Sequence, residues 1–208
     1  MLKAITKEMK NHAPFTAFGA ITGLIIMVLL YKIPYRVSYN IFYILHPAHV
    51  LLSAIVTASM YKLHITSERK FKLLGLILVG YLGSVGIATL SDSIIPCLGE
   101  ALLYLPNRGI HIGFIEKWWL VNPLAFAGIA IAYFRPATKF PHAGHVLLST
   151  WASSFHIIMA VGGILSTGLA ITAFIFLFIS VWIPCCLSDI VFPLLFVGEN
   201  AEQGEIPE

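Results

Sequence analysis

Two short motifs, each present twice in the chain, carry the side chains that could do chemistry. Residues 46–53 read HPAHVLLS and residues 142–149 read HAGHVLLS. Residues 91–96 read SDSIIP and residues 188–193 read SDIVFP. The first pair is 96 positions apart and the second pair 97. Two motifs that recur in the same order at nearly the same offset indicate an internal duplication.

The repeated histidines and aspartates have the spacing and the chemistry of metal ligands. Residues three positions apart lie on one face of a helix, so the two histidines of each motif point the same way. Neutral imidazole suits zinc, iron, nickel and copper, and a carboxylate can complete the set. The chain contains only two aspartates, one in each repeat. The predicted ligands are His46, His49, Asp92, His142, His145 and Asp189, and the candidate metals are zinc, iron, manganese and nickel.

The composition places these residues in a membrane protein. Hydrophobic residues make up 58% of the chain and charged residues 11%, whereas a soluble domain carries about 25% charged residues. An ionisable side chain inside a membrane helix costs roughly 2.5–3.5 kcal/mol at the bilayer centre and is therefore a functional candidate. We expect the lipid bilayer and a small inorganic cation as partners, with self-association into a homo-oligomer possible. The sequence shows no basic patch for nucleic acid.

The hydropathy pattern predicts an all-α fold with six membrane-spanning helices of about 20 residues each. Residues 1–12 are predicted to form a short basic amphipathic helix at the membrane surface. The first three-helix repeat falls within residues 1–105 and the second within residues 106–208, as parts of one integrated membrane domain. The predicted spans are 14–33, 41–63, 71–105, 120–134, a fifth that contains 142–149 and ends near 163, and 165–196.

Three spans in each repeat mean that the two halves cross the membrane in opposite directions. Such inverted repeats are typical of carriers, whose site lies between the repeats on interrupted helices. We expect interruptions near both aspartates, the first histidine pair in the outer half and the second in the inner half. One shared site and two stacked sites are both compatible with this arrangement. Lysine and arginine counts in the loops favour cytoplasmic termini, in a plasma or inner membrane.

Three functions are compatible with the motifs. The first is a carrier for a divalent transition metal. The second is an electron-transfer protein that binds haem b through paired histidines, with His49, His64, His142 and His156 as candidates. The third is a di-metal membrane hydroxylase, which the expected separation of the two histidine pairs disfavours. Each motif taken singly could also be structural, because an aspartate after serine can cap a helix.

The remaining polar residues have simpler interpretations. Ser53, Ser91, Ser149 and Ser188 are expected to form hydrogen bonds between helices or to support the ligands. The three cysteines, Cys97, Cys185 and Cys186, do not occupy equivalent positions in the repeats and are interpreted as packing residues. Glu100, His111 and Glu116 are assigned to the outer loop or its border, where solvation explains them.

Overall fold

The computed structural model describes residues 2–65, 72–187 and 192–196, with the backbone alone at 2–9, 11–12, 139, 186 and 194. These residues form helices and connecting turns without any strand, which confirms the all-α class. The helices are α1 (Leu2–Leu30), α2 (Tyr35–His64), α3 (Lys72–Leu102), α4 (Gly113–Glu116), α5 (Trp118–Phe134), α6 (Lys139–Val161), α7 (Thr167–Cys186) and α8 (Phe192–Leu195).

Five of the described helices, α1, α2, α3, α6 and α7, contain segments that are long and apolar enough to cross a membrane. Large apolar side chains such as Leu29, Leu74 and Ile175 are exposed on their outer surfaces, as expected of helices that face lipid. The chain is therefore a membrane protein. Helix α5 is apolar but has only 17 residues. The predicted amphipathic segment forms the first part of α1, from Leu2 onward. Its place at the membrane surface remains a prediction.

Helix α3 carries the first aspartate, and its predicted interruption there is wrong. The chain stays helical from Lys72 to Leu102, but two turns, Leu82–Gly86 and Leu90–Ile94, are wider π-helical turns. Pro96 has no N–H to donate to the carbonyl of residue 92, so a regular α-helical ladder cannot continue through this point. A π turn absorbs the defect without ending the helix, and such turns are frequent at functional sites. The second aspartate, Asp189, lies outside the described residues.

The bundle is built around the contact between α2 and α6, the two helices that carry the histidine motifs. Helix α1 packs on α6 and α7, while α5 packs on α2 and α3. Glycine permits the closest approaches, as it does in other membrane helices. A Cβ atom on Gly128 of α5 would lie 2.6 Å from the Leu51 carbonyl oxygen of α2. A Cβ atom on Gly23 of α1 would lie 2.5 Å from the Ser154 hydroxyl of α6.

The connecting segments that the structure describes lie at two ends of the bundle. At one end, the amide of Asn107 donates to the Ala160 carbonyl at 3.1 Å, and the hydroxyl of Tyr35 lies 3.2 Å from Nε2 of His111. At the other end, the amide of Ala137 donates to the Ser59 hydroxyl at 3.0 Å. The first end, which we call the loop face, holds residues 31–34, 103–112 and 162–166.

Candidate metal centre

Asp92 is the hub of the buried polar cluster, and its carboxylate has four hydrogen-bonding neighbours. Nδ1 of His46 lies 2.9 Å and Nδ1 of His49 lies 2.7 Å from the same oxygen, Oδ2. The hydroxyls of Ser91 and Ser149 donate to Oδ1 at 2.8 and 2.7 Å. All five side chains are completely buried. Ser149 belongs to α6, so this cluster joins the two repeats through a hydrogen bond.

This arrangement determines which nitrogen of each imidazole is available to a ligand. An ionised carboxylate only accepts hydrogen bonds, so Nδ1 of His46 and Nδ1 of His49 both carry hydrogen. In the neutral ring, Nε2 then holds the lone pair. Neither Nε2 atom has a hydrogen-bond partner among the described residues. A histidine held through Nδ1 by a carboxylate, with Nε2 available, is the common arrangement of a metal-binding histidine.

One group of three potential ligands is found among the described residues. A ring nitrogen of His49, a ring nitrogen of His145 and Sγ of Cys185 lie within 4.8 Å of one another, and all three residues are buried. The rings of His49 and His145 stack with centroids 5.5 Å apart. Ligands of one tetrahedral zinc ion lie about 3.3–3.8 Å apart, given the usual zinc–nitrogen and zinc–sulfur bond lengths.

The two histidine motifs meet where the rings of His49 and His145 stack. His49 lies midway along α2, 14 residues after its first residue and 15 before its last. His145 comes from α6, and its Nε2 lies 3.2 Å from Nδ1 of the partly buried His142. The expected separation into an outer and an inner pair is therefore wrong for His49 and His145, because α2 extends past the cluster on both sides.

Cys185 is the ligand candidate that the sequence interpretation missed. It was interpreted as a packing residue because the first repeat has no cysteine at the corresponding place. The structure puts it 1% exposed beside His49 and His145. Its position four residues before Asp189 was the available signal. Cys97, by contrast, is partly exposed on α3 and does not belong to this group.

A second buried polar group lies nearer the loop face. Nδ1 of His156 is 2.6 Å from Oε1 of Glu100, and both side chains are 1% exposed. The ring of His111 meets the His156 ring edge-on, with centroids 5.3 Å apart. Nδ1 of His111 lies 3.4 Å from the carboxylate of Glu116, which also accepts from Tyr43 at 2.6 Å. The assignment of Glu100 to a solvated position is wrong, since it lies inside α3.

The four histidines proposed as haem ligands each have other neighbours in the structure. His49 contacts Asp92 and the ring of His145, and His156 contacts Glu100. Nδ1 of His64 lies 2.8 Å from the Met60 carbonyl, one turn earlier in the same helix.

Comparison with protein-family models, with curated protein sequences and with solved structures finds no match to this chain. We therefore base the function on the geometry of the residues of this chain.

Proposed function

We propose that this chain is an integral membrane carrier that binds and translocates a divalent transition-metal cation. The observation that carries the proposal is the buried group of His49, His145 and Cys185, with ligand atoms within 4.8 Å of one another. It takes one histidine from each repeat, and it lies midway along α2. A site between two repeats near the midplane is what a carrier of this architecture requires.

The donor set favours zinc among the candidate metals. Two imidazole nitrogens and one thiolate suit zinc well, whereas manganese prefers carboxylate and carbonyl oxygen. Three protein ligands leave one position of a tetrahedral ion open. In a carrier, that position could be taken by water or by His142, which lies against His145. Asp92 then acts from behind His49, where it fixes the ring orientation and raises the basicity of Nε2.

Packing between the helices supports the inverted repeat on which the transport proposal depends. The first helix of each half packs on the second helix of the other half: α1 on α6, and α5 on α2. Gly23 meets Thr150 and Ser154, and Gly128 meets Ala54. Ala54 and Thr150 are 96 positions apart, as the histidine motifs are. This exchange is the relation expected of two halves related by an axis in the membrane plane, with α5 as the sixth span.

A pair of buried serines in the third helix of each half gives the same relation. Ser84 and Ser180, also 96 positions apart, are both fully buried. The Ser84 hydroxyl donates to the Gly80 carbonyl at 2.6 Å, with the Tyr81 carbonyl at 3.3 Å, and the Ser180 hydroxyl donates to the Leu177 carbonyl at 3.1 Å, so both bond back along their own helix. In the sequence Asp189 is the counterpart of Asp92 at an offset of 97, and it belongs to the predicted ligand set but lies outside the described residues. Rocking of one half against the other would expose the shared site to each side in turn.

The di-metal hydroxylase was disfavoured because the two histidine pairs were expected to lie apart. The contact between His49 and His145 removes that objection. The described residues nevertheless bring together three ligands at one point, which suits one ion. Two ions about 3.5–4 Å apart need more ligands than that. A carrier for a single cation therefore fits the geometry better.

The proposal is tested by zinc binding to the purified protein and by zinc uptake into proteoliposomes. Cys185→Ser and His145→Ala should each lower zinc affinity at least tenfold and slow uptake, because each removes a ligand. Cys97→Ser and His64→Ala are the matched controls and should bind zinc as the wild type does. Zinc affinity that is equal in all five proteins, or absent in the wild type, would overturn the proposal.

A further inference from the structure

We infer that the Glu100–His156 pair is a proton-binding site through which protons drive the movement of the metal ion. The inference rests on the proposed carrier function and names its coupling ion. Glu100 and His156 take no part in the metal-binding group, yet both are 1% exposed inside the helical bundle and lie 2.6 Å apart. A buried charged pair is a costly way to stabilise a helix contact, so its retention calls for a function.

Glu100 lies on α3, the helix that carries Asp92, and His156 lies on α6, the helix that carries His145. His156 follows His145 by 11 residues on α6, which places it on the same helix face and about 16 Å away along the axis. Glu100 follows Asp92 by eight residues on α3, a distance of about 12 Å. The two sites are therefore separate but close enough to influence each other. A divalent ion about 14 Å away, at an effective dielectric constant of about 20, changes proton affinity by more than about tenfold.

Proton occupancy of the pair has three states. With one proton shared between them, the two side chains have no net charge. Loss of this proton leaves a net charge of −1, and gain of a second proton gives +1. Net charge in a water-excluded interior is unfavourable, and a nearby cation makes the protonated state more unfavourable still. Binding of the metal and binding of a proton by the pair therefore oppose each other, which is the requirement for exchange of one for the other.

A route for protons leads from the loop face to the pair. Glu116 has a side chain 33% exposed, and its carboxylate lies 3.4 Å from Nδ1 of His111. The ring of His111 contacts that of His156, whose Nε2 is buried without a hydrogen-bond partner among the described residues. Burial lowers the pKa of His111 and His156 lowers it further, whereas Glu116 and Glu100 act in the opposite direction. His111 is therefore suited to pass a proton on.

The proton transfer conserves charge at each step. Protonated His111 donates a proton to Nε2 of His156 and becomes neutral, and His156 releases the hydrogen on Nδ1 to Oε1 of Glu100, so the pair goes from a net charge of −1 to 0. The imidazole ends neutral and the carboxylate becomes a carboxylic acid. The titratable and charged groups around Glu100 are His156 on α6, His111 and Arg108 on the loop, Tyr35 on α2 and Cys97 on its own helix. Helix α7 presents the apolar Ala173 and Phe176 beside the same residue.

The test uses wild-type protein in phosphatidylcholine–phosphatidylglycerol vesicles that contain a zinc indicator or a pH indicator. An acidic lumen should accelerate zinc entry at least tenfold over equal pH, and zinc entry should raise the lumenal pH. Glu100→Gln and His156→Gln should bind zinc within about threefold of the wild type but lose the response to the pH gradient. His64→Gln, the matched control, should keep it.

The outcomes separate this inference from the carrier proposal. Zinc flux in the wild type that is indifferent to the gradient and moves no protons would overturn the inference alone. A full response of Glu100→Gln to the gradient would also overturn it. Failure of the wild type to bind or move zinc would overturn both. The wild-type proton measurement needs no variant, so a variant that misfolds does not prevent the decision.

Discussion

Replacement of Asp92 tests the role assigned to the centre of the cluster. The carboxylate accepts from two imidazole N–H groups and two hydroxyls. Asp92→Ala leaves four buried donors without their acceptor. Each costs about 1 kcal/mol or more, so the free energy of unfolding should fall by about 4 kcal/mol or more. That variant is expected to fold poorly, and it therefore tests the structural contribution of the residue rather than its effect on the metal.

Asp92→Asn separates the effect on the metal from the effect on the fold. Its amide oxygen can accept from both histidines, and its NH2 group can donate to Ser91 and Ser149, whose hydroxyls rotate to accept. The loss is then the charge assistance of two hydrogen bonds, about 1 kcal/mol each, or about 2 kcal/mol of stability. The neutral amide no longer raises the basicity of Nε2, so zinc affinity should fall about 10–100-fold.

The assay is zinc titration calorimetry in detergent beside a thermal unfolding curve for each protein. Ser166→Ala, which removes a helix cap near the loop face, is a stability control that should leave zinc affinity unchanged. Asp92→Asn that folds and binds zinc as tightly as the wild type would refute the assignment of Asp92 as the residue that orients and activates the histidines.

Three further predictions concern the packing, the pH dependence and the topology. Gly128→Val should destabilise the protein by about 1–3 kcal/mol in thermal unfolding, because the valine side chain would meet the Leu51 carbonyl. Gly168→Ala, with open space around residue 168, should have a much smaller effect. Equal effects of the two substitutions would contradict the close contact. Since the pKa of His111 is lowered in the fold, the unfolded chain binds more protons than the folded protein below about pH 6.5. The melting temperature of the wild type should therefore fall with acidification, and that of His111→Gln should fall less. An identical pH profile of the two melting temperatures would contradict this. Cysteines introduced at residues 108 and 137 should react with an impermeant reagent from opposite sides of the membrane, and labelling from the same side would contradict the alternation of spans.

The helical membrane fold was predictable because hydropathy reports directly on lipid exposure. The apolar run 71–105 already passes through Asp92, but hydropathy does not tell whether the helix there is broken or widened into π turns. Pro96 marked an irregularity there, but a widened turn and a broken helix have the same local sequence. Hydropathy also assigned Glu100 to the border of a loop, although it is paired with His156 inside the bundle.

The candidate site was predictable where it was duplicated and was missed where it was not. The repeat singled out His46, His49 and His145; the first two contact Asp92, and the ring of His145 stacks on that of His49. Cys185 has no cysteine counterpart in the first half, so the repeat argument excluded it. The contact of His49 with His145 also depends on how deeply the two helices overlap, which the offset of 96 residues does not reveal.

X-ray absorption at the zinc edge of the zinc-loaded protein tests the central claim most directly. The His49, His145 and Cys185 site predicts a first shell with one sulfur at about 2.3 Å and nitrogen or oxygen ligands at about 2.0–2.1 Å. Cys185→Ser should remove the sulfur contribution, and Cys97→Ser should retain it. A shell of nitrogen and oxygen alone in the wild type, or a sulfur contribution that survives Cys185→Ser, would contradict the assignment of this group as the metal site.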